Sequence, residues 1–135
     1  MSPALARFDR SVTTAALLLG DLAIITLQLS GGLRSHGVDP LASPAYTAET
    51  VAPFLLGWLV VAPLLGVYTA RVRESFAETL LSVGLAWIVA ALAGIGLRAT
   101  PWLQGGAPAA FVAVTIGVGL ATLLPWHLLV TAISR

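Results

Sequence analysis

The residues able to do chemistry in this chain are few, and their surroundings are unusual for their type. Asp21 stands in Leu17-Leu18-Leu19-Gly20-Asp21-Leu22-Ala23-Ile24-Ile25, Gln28 follows two helical turns later, and His127 lies in Leu123-Leu124-Pro125-Trp126-His127-Leu128-Leu129. An ionised carboxylate in hydrocarbon costs several kcal/mol, so Asp21 must be paired, protonated or wetted. Two partners are open to it: a helix carbonyl or Thr hydroxyl, or the His127 imidazole. An Asp–His contact could hold and pass a proton. His127 also follows Trp126, which fits an interfacial aromatic belt instead. Gln28 suits a hydrogen bond between helices.

A second set, Arg34, His36, Asp39 and Arg98, flanks the apolar stretches together with Tyr46, Glu49 and Trp102. Ser35-His36-Gly37-Val38-Asp39-Pro40 reads as a turn initiated by Asp39 before proline. His36, Asp39 and Glu49 match no metal-ligand spacing, so no metal is expected. Arg34 and Arg98 are expected to pair with Asp39 or Glu49, or with lipid phosphate. Arg71, Arg73, Glu74 and Glu78 read as a short charged linker anchored at headgroups.

Missing residue types remove whole classes of chemistry. Cysteine is absent, which excludes disulfide scaffolds, thiolate metal sites and cysteine nucleophiles. Lysine is absent too, and with it Schiff-base chemistry and the usual phosphate-loop lysine. No nucleophile elbow, zinc-protease motif or glycine-rich phosphate loop occurs, so no cofactor and no catalytic set are expected. An enzyme acting on a lipid or isoprenoid would show acids clustered with basic residues at one interface, and that cluster is missing. Seven arginines against six acids give a net charge of +1, without the basic density that nucleic acid requires.

The elements that must position these residues follow from composition. Of 135 residues, 58% are hydrophobic and 10% charged, whereas a soluble domain carries about 25% charged residues. The lipid bilayer is therefore the expected solvent. Four apolar stretches, at about 11–33, 50–70, 79–97 and 109–133, each have the length needed to cross a hydrocarbon core of ~30 Å. They are apolar on every face, which disfavours alternating membrane strands. The first is expected to be a retained helix and not a leader peptide, being too long and interrupted by Asp21. The expectation is an all-α, single-domain integral membrane bundle of four transmembrane helices, multi-pass in the cell membrane.

Arginine placement orients the bundle. Arg7, Arg10, Arg71, Arg73 and Arg135 fall on one side, and Arg34 and Arg98 on the other. The positive-inside rule then predicts both termini cytoplasmic. Counting 1.5 Å per residue from that side puts Asp21 roughly 14 Å deep and His127 roughly 9 Å deep. That offset is within side-chain reach if the first and fourth helices are neighbours.

Packing is expected at small residues spaced by four: Ala62, Gly66 and Ala70; Ala86, Ala90 and Gly94; Ala113, Gly117 and Ala121. This pattern predicts a close hairpin of the third and fourth helices. Pro53 is expected in a first helical turn, with Pro63 and Pro125 deeper, where they kink their helices.

Gly20-Asp21, Ser35-His36-Gly37-Val38-Asp39-Pro40, Pro53-Phe54-Leu55-Leu56-Gly57-Trp58 and Arg98-Ala99-Thr100-Pro101 resemble prokaryotic membrane proteins grouped as domain of unknown function 3054. The resemblance covers nearly the whole chain and implies topology and membrane location without a mechanism. It directs interest to Asp21, His36, Trp58 and Arg98, and leaves His127 outside its motifs.

The functional expectation is a small transport, permeation or ligand-binding protein centred on Asp21. The alternative is a non-catalytic structural or accessory subunit of a membrane complex. Four helices rarely enclose a pathway alone, so a homo-oligomer or a larger assembly is expected.

Overall fold

The computed structural model describes residues 8–103 and 108–134. Arg7 and Arg135, used above for orientation, lie outside them. Among the described residues the chain forms helices α1 (Val12–Ser35), α2 (Pro44–Leu64), α3 (Phe76–Arg98) and α4 (Ala109–Ile133), with one 3-10 turn, Arg71–Glu74, before α3. All four are long and apolar enough to cross a membrane. Helix α1 packs on α2 and α4, and α3 packs on the same two. The result is a four-helix bundle in which the first and last helices are neighbours. One end carries the α2–α3 connection and Arg73, the other the α1–α2 and α3–α4 connections and His36.

Local chemistry sets the helix ends. Ser11 caps α1 by accepting from the Thr14 amide at 3.2 Å, and Ser75 caps α3 by accepting from the Glu78 amide at 3.3 Å. Helices α1 and α2 both stop at a glycine in the left-handed region, Gly37 at φ 82° and Gly66 at φ 77°. In each case the two amides after the cap turn back: Gly37 to Arg34 and Val38 to Leu33, then Gly66 to Pro63 and Val67 to Ala62. This is the Schellman arrangement, which satisfies the last free carbonyls of a helix.

The Gly66 stop explains where sequence and structure part company. Hydropathy alone extends the second helix to about residue 70, but the helix occupies Pro44–Leu64, six residues earlier. Proline suits its first turn, since the missing amide hydrogen is unpaired there anyway. Pro53 therefore falls in the interior of α2 and Pro63 in its last turn, the reverse of the expectation. Residues 65–70 remain apolar because they form a turn folded onto the bundle, with Val67 and Tyr68 fully buried.

The interior is filled by rings. Phe54, Trp58, Tyr68 and Trp87 are all 0% exposed. Small residues make room: Ala86, Ala90 and Gly94 of α3 face inward as the spacing predicts. A Cβ on Gly57 would lie 2.7 Å from the Ala90 carbonyl oxygen, so α2 and α3 meet backbone to backbone. On α4 the inward line is Thr115, Gly119, Leu123, His127 and Thr131. Ala113, Gly117 and Ala121 point outward, contrary to the predicted seam. Only one line of α4 can face the bundle, and Gly119 is the residue that receives the Trp87 indole. The outside is apolar, with Leu19, Leu27, Leu81 and Ile133 largely exposed. A surface of that kind suits lipid and not water.

Candidate functional site

Two buried lines meet between α1 and α4. On α1 the buried residues are Thr14, Leu17, Asp21, Ile25, Leu29 and Leu33, a nearly constant step of four. Their counterparts on α4 include Leu123 and His127. The register is held by a neighbouring pair: the Trp126 indole covers Gly20 so closely that a Cβ there would lie 2.4 Å from a ring carbon. With Trp126 seated on Gly20, the next residue of each helix comes face to face.

Asp21 is 0% exposed and His127 2% exposed. The imidazole Nε2 lies 2.7 Å from Oδ1 and 2.9 Å from Oδ2 of Asp21. Either the ring N–H donates to a carboxylate, or a carboxylic O–H donates to a neutral ring nitrogen. One proton lies between the two groups in both cases, and the pair is neutral overall when that proton accompanies a second one on Nδ1. His127 is therefore not a belt residue at the bundle surface. Its depth follows from the α1–α4 contact.

Two further side chains complete the cluster: Trp58, to which the family resemblance directs interest, and Tyr68, which sequence reasoning did not single out. The Tyr68 hydroxyl donates to Asp21 Oδ2 at 2.6 Å and accepts from Trp58 Nε1 at 2.7 Å. Burial pushes the Tyr68 phenol well above its ordinary range, and the adjacent Asp21 charge acts in the same direction. It is thus held as an O–H donor. The Trp58 ring also stands edge-on to His127, with centroids 6.4 Å apart. Tyr68 arrives by way of the Gly66 turn. The signal that could have found it is a glycine followed by an apolar pair containing a single hydroxyl, Gly66-Val67-Tyr68.

A charged clamp holds that turn from outside. Arg73 Nη2 contacts Asp9 Oδ2 at 2.5 Å, and the Ser11 hydroxyl donates to the same oxygen at 2.7 Å. The Ser11 bond and the Arg73 guanidinium hold the Asp9 carboxyl below its ordinary value. The Asp9 amide donates to the Tyr68 carbonyl at 2.8 Å, and the Phe8 and Tyr68 rings lie 5.3 Å apart. A cavity of about 550 Å³ opens beside this clamp, lined by Asp9, Ser11, Thr13, Ala70, Arg73, Glu74 and Ser134. The charged linker is thus partly built into the fold: Arg73 is mostly buried, whereas Arg71 meets Glu78 at 3.6 Å in the open.

The remaining candidates lie elsewhere. Gln28 bridges α1 to α4 through Nε2 and the Thr115 carbonyl at 3.0 Å, leaving its Oε1 buried without a partner. Arg34 and His36 are exposed at the end of α1. Asp39 accepts from the Leu41 amide at 3.0 Å, which makes the turn. Arg98 is 6% exposed, donates to the Thr50 hydroxyl at 3.3 Å and lies 4.5 Å above the Phe111 ring. The expected pairing of Arg34 and Arg98 with Asp39 or Glu49 is not found. Among the described residues the ion pairs are Arg71–Glu78, Arg73–Asp9 and His127–Asp21. Asp39 is committed to its own turn, and Arg98 turns inward onto Phe111 instead of toward the loop.

No curated protein and no solved structure matches this chain. The family described as "Protein of unknown function (DUF3054)" matches residues 18–130, a span that takes in Asp21, Trp58, Tyr68 and His127. The chain belongs to that family.

Proposed function

We propose that this protein is a small proton-linked transport or permeation protein in which Asp21 and His127 bind the proton. The observation that carries the reading is the Asp21–His127 contact itself, an ionisable pair with virtually no exposure in the middle of apolar helices. Ionisable side chains inside membrane spans are costly and are functional by default. A purely structural role is a weak reason to keep them, because well-packed apolar residues of similar volume replace such pairs without loss or with a gain of stability. Tyr68 supplies a fixed donor to one oxygen, so the second oxygen is left to exchange its proton with the imidazole. Arginine placement supports an orientation with the Arg73 end in the cytoplasm of a cell whose envelope membrane holds the bundle. In that orientation the 550 Å³ cavity at Asp9 and Arg73 opens inward.

The test is proton flux into proteoliposomes loaded with a pH-sensitive dye. The wild-type protein is expected to collapse an imposed pH gradient faster than empty liposomes do, and Asp21→Asn to abolish this while remaining folded and inserted. Flux no faster than empty liposomes, or equal flux from Asp21→Asn, overturns the reading.

A second reading, an accessory subunit of a membrane assembly, is favoured by one observation. Ala113, Gly117 and Ala121 lie on the exposed side of α4, and nothing stands within 4 Å of a Cβ placed on Gly117. A stripe of this kind lets another helix approach closely. Native mass spectrometry of the wild type and Gly117→Leu decides it: an assembly lost in the variant, without proton flux in either, supports this reading over the first.

A further inference from the structure

Arg98 is a buried cation without a counter-ion. Its residue is 94% buried by its 6% exposure, its Nε is fully buried with no partner, and no carboxylate oxygen lies within ion-pair distance among the described residues. A guanidinium does not shed its proton in a protein, so the charge cannot be removed by neutralisation. What surrounds it compensates only in part. The Phe111 ring offers a π face at 4.5 Å, the Thr50 hydroxyl one long hydrogen bond, and the C-terminal carbonyls of α3 a diffuse negative field.

A second observation converges on the same place. Phe111, on which the guanidinium stacks, is the third residue of α4, a helix of 25 residues. That helix follows the N-cap Pro108, with no side-chain cap bond and no acid in its first turn. Among the described residues its leading amides therefore have no side-chain acceptor, and helix starts of this kind attract anions. Helix α2 also begins at this end, likewise without a side-chain cap or an acid in its first turn. A guanidinium stacked on a residue of that first turn and keeping an Nε donor without a partner combines charge and donors of the kind that recognise tetrahedral or planar oxyanions.

We propose that Arg98, with the first turn of α4, forms an oxyanion site at the His36 end of the bundle, and that its ligand is a phosphate group. The phosphate comes either from the free anion or from a phospholipid head. This site is separate from the Asp21–His127 pair and does not depend on the proton-linked reading.

The experiment measures thermal unfolding of the purified, delipidated protein in detergent. One arm titrates inorganic phosphate against chloride at matched ionic strength. The other titrates short-chain phosphatidic acid against diacylglycerol with the same tails. A saturable rise in the unfolding midpoint with phosphate assigns the free anion, and a rise with phosphatidic acid alone assigns the lipid. Arg98→Gln is expected to abolish the response. Arg98→Lys, which keeps the charge and loses the fork, is expected to weaken the apparent affinity about tenfold. Should Arg98→Gln fail to fold, Arg98→Lys decides the location. No midpoint shift in either wild-type arm overturns the proposal, as does an undiminished shift in the variant that folds.

Discussion

At the scale of single residues, the Asp21 cluster is governed by what each group loses when its partner is removed. Removing His127 alone leaves a buried carboxylate without its main partner, a loss of about 3–5 kcal/mol by analogy with other buried pairs. Replacing both members at once is different. Asp21→Leu with His127→Leu leaves only the Tyr68 O–H without its acceptor, so it is expected to cost about 1–3 kcal/mol, less than losing His127 alone, and to have no proton flux. Chemical unfolding in detergent together with the liposome assay checks both halves. A double variant that keeps wild-type flux would detach transport from the pair. Tyr68→Phe removes the donor to Asp21 and the acceptor of Trp58 Nε1 in one step, and is expected to cost about 1–3 kcal/mol. The same substitution in a Trp58→Phe background is expected to cost measurably less, since the indole no longer has a bond to lose. The two costs being equal would mean that the Trp58–Tyr68 bond contributes nothing to stability.

At the scale of elements, the decisive features are the glycines at two junctions. Gly66 at φ 77° ends α2 and turns Val67 and Tyr68 into the bundle. A side chain in that region costs about 1–2 kcal/mol, so Gly66→Ala is expected to lower the unfolding free energy by that amount. It should also loosen the Tyr68–Asp21 contact, visible as a change in Trp58 fluorescence. Gly57 meets the Ala90 carbonyl directly, so Gly57→Leu must separate α2 from α3 and costs more than Gly66→Ala. At Gly57 the contact between α2 and α3 is directly with backbone, whereas α3 and α4 pack through the Trp87 ring on Gly119 and not along the Ala113, Gly117 and Ala121 seam that small-residue spacing suggested. Spacing by four was present on both faces of α4, and only the position of Trp87 selects Gly119 over Gly117.

The same element scale includes the Asp9–Arg73 clamp, whose response to pH has a definite sign. The Asp9 carboxyl is depressed in the folded protein by the Ser11 hydroxyl and Arg73. Its contribution to stability is therefore complete above the unfolded value, about pH 4, and is lost as pH falls through the lower folded value. Unfolding midpoints recorded from pH 6 to pH 2 are expected to decline more in the wild type than in Asp9→Asn. Parallel curves would show that the clamp adds nothing.

At the scale of the whole molecule, the testable consequence is orientation. The natural chain has no cysteine, so single cysteines report position without background. In intact cells Ala42→Cys is expected to react with a membrane-impermeant maleimide, and Ala70→Cys only after permeabilisation. The reverse pattern would invert the bundle and direct the Asp9–Arg73 cavity outward.

Composition and apolar run length were enough to establish an all-helical chain with four helices long enough to cross a membrane, because a spanning helix has to be apolar over a length that the bilayer sets. The same reasoning picked out Asp21, since a carboxylate in such a stretch has no ordinary explanation. Helix adjacency was not legible. In lipid every face of a spanning helix is apolar, so hydropathy marks no inward side. Only the folded bundle placed His127 on Asp21, brought Tyr68 in through the Gly66 turn, and left Arg98 buried without an acid. Those outcomes depend on the fit of Trp126 to Gly20, Trp87 to Gly119 and Phe54 to Gly94. Each is a match of shape between residues distant in the chain, which no local pattern encodes.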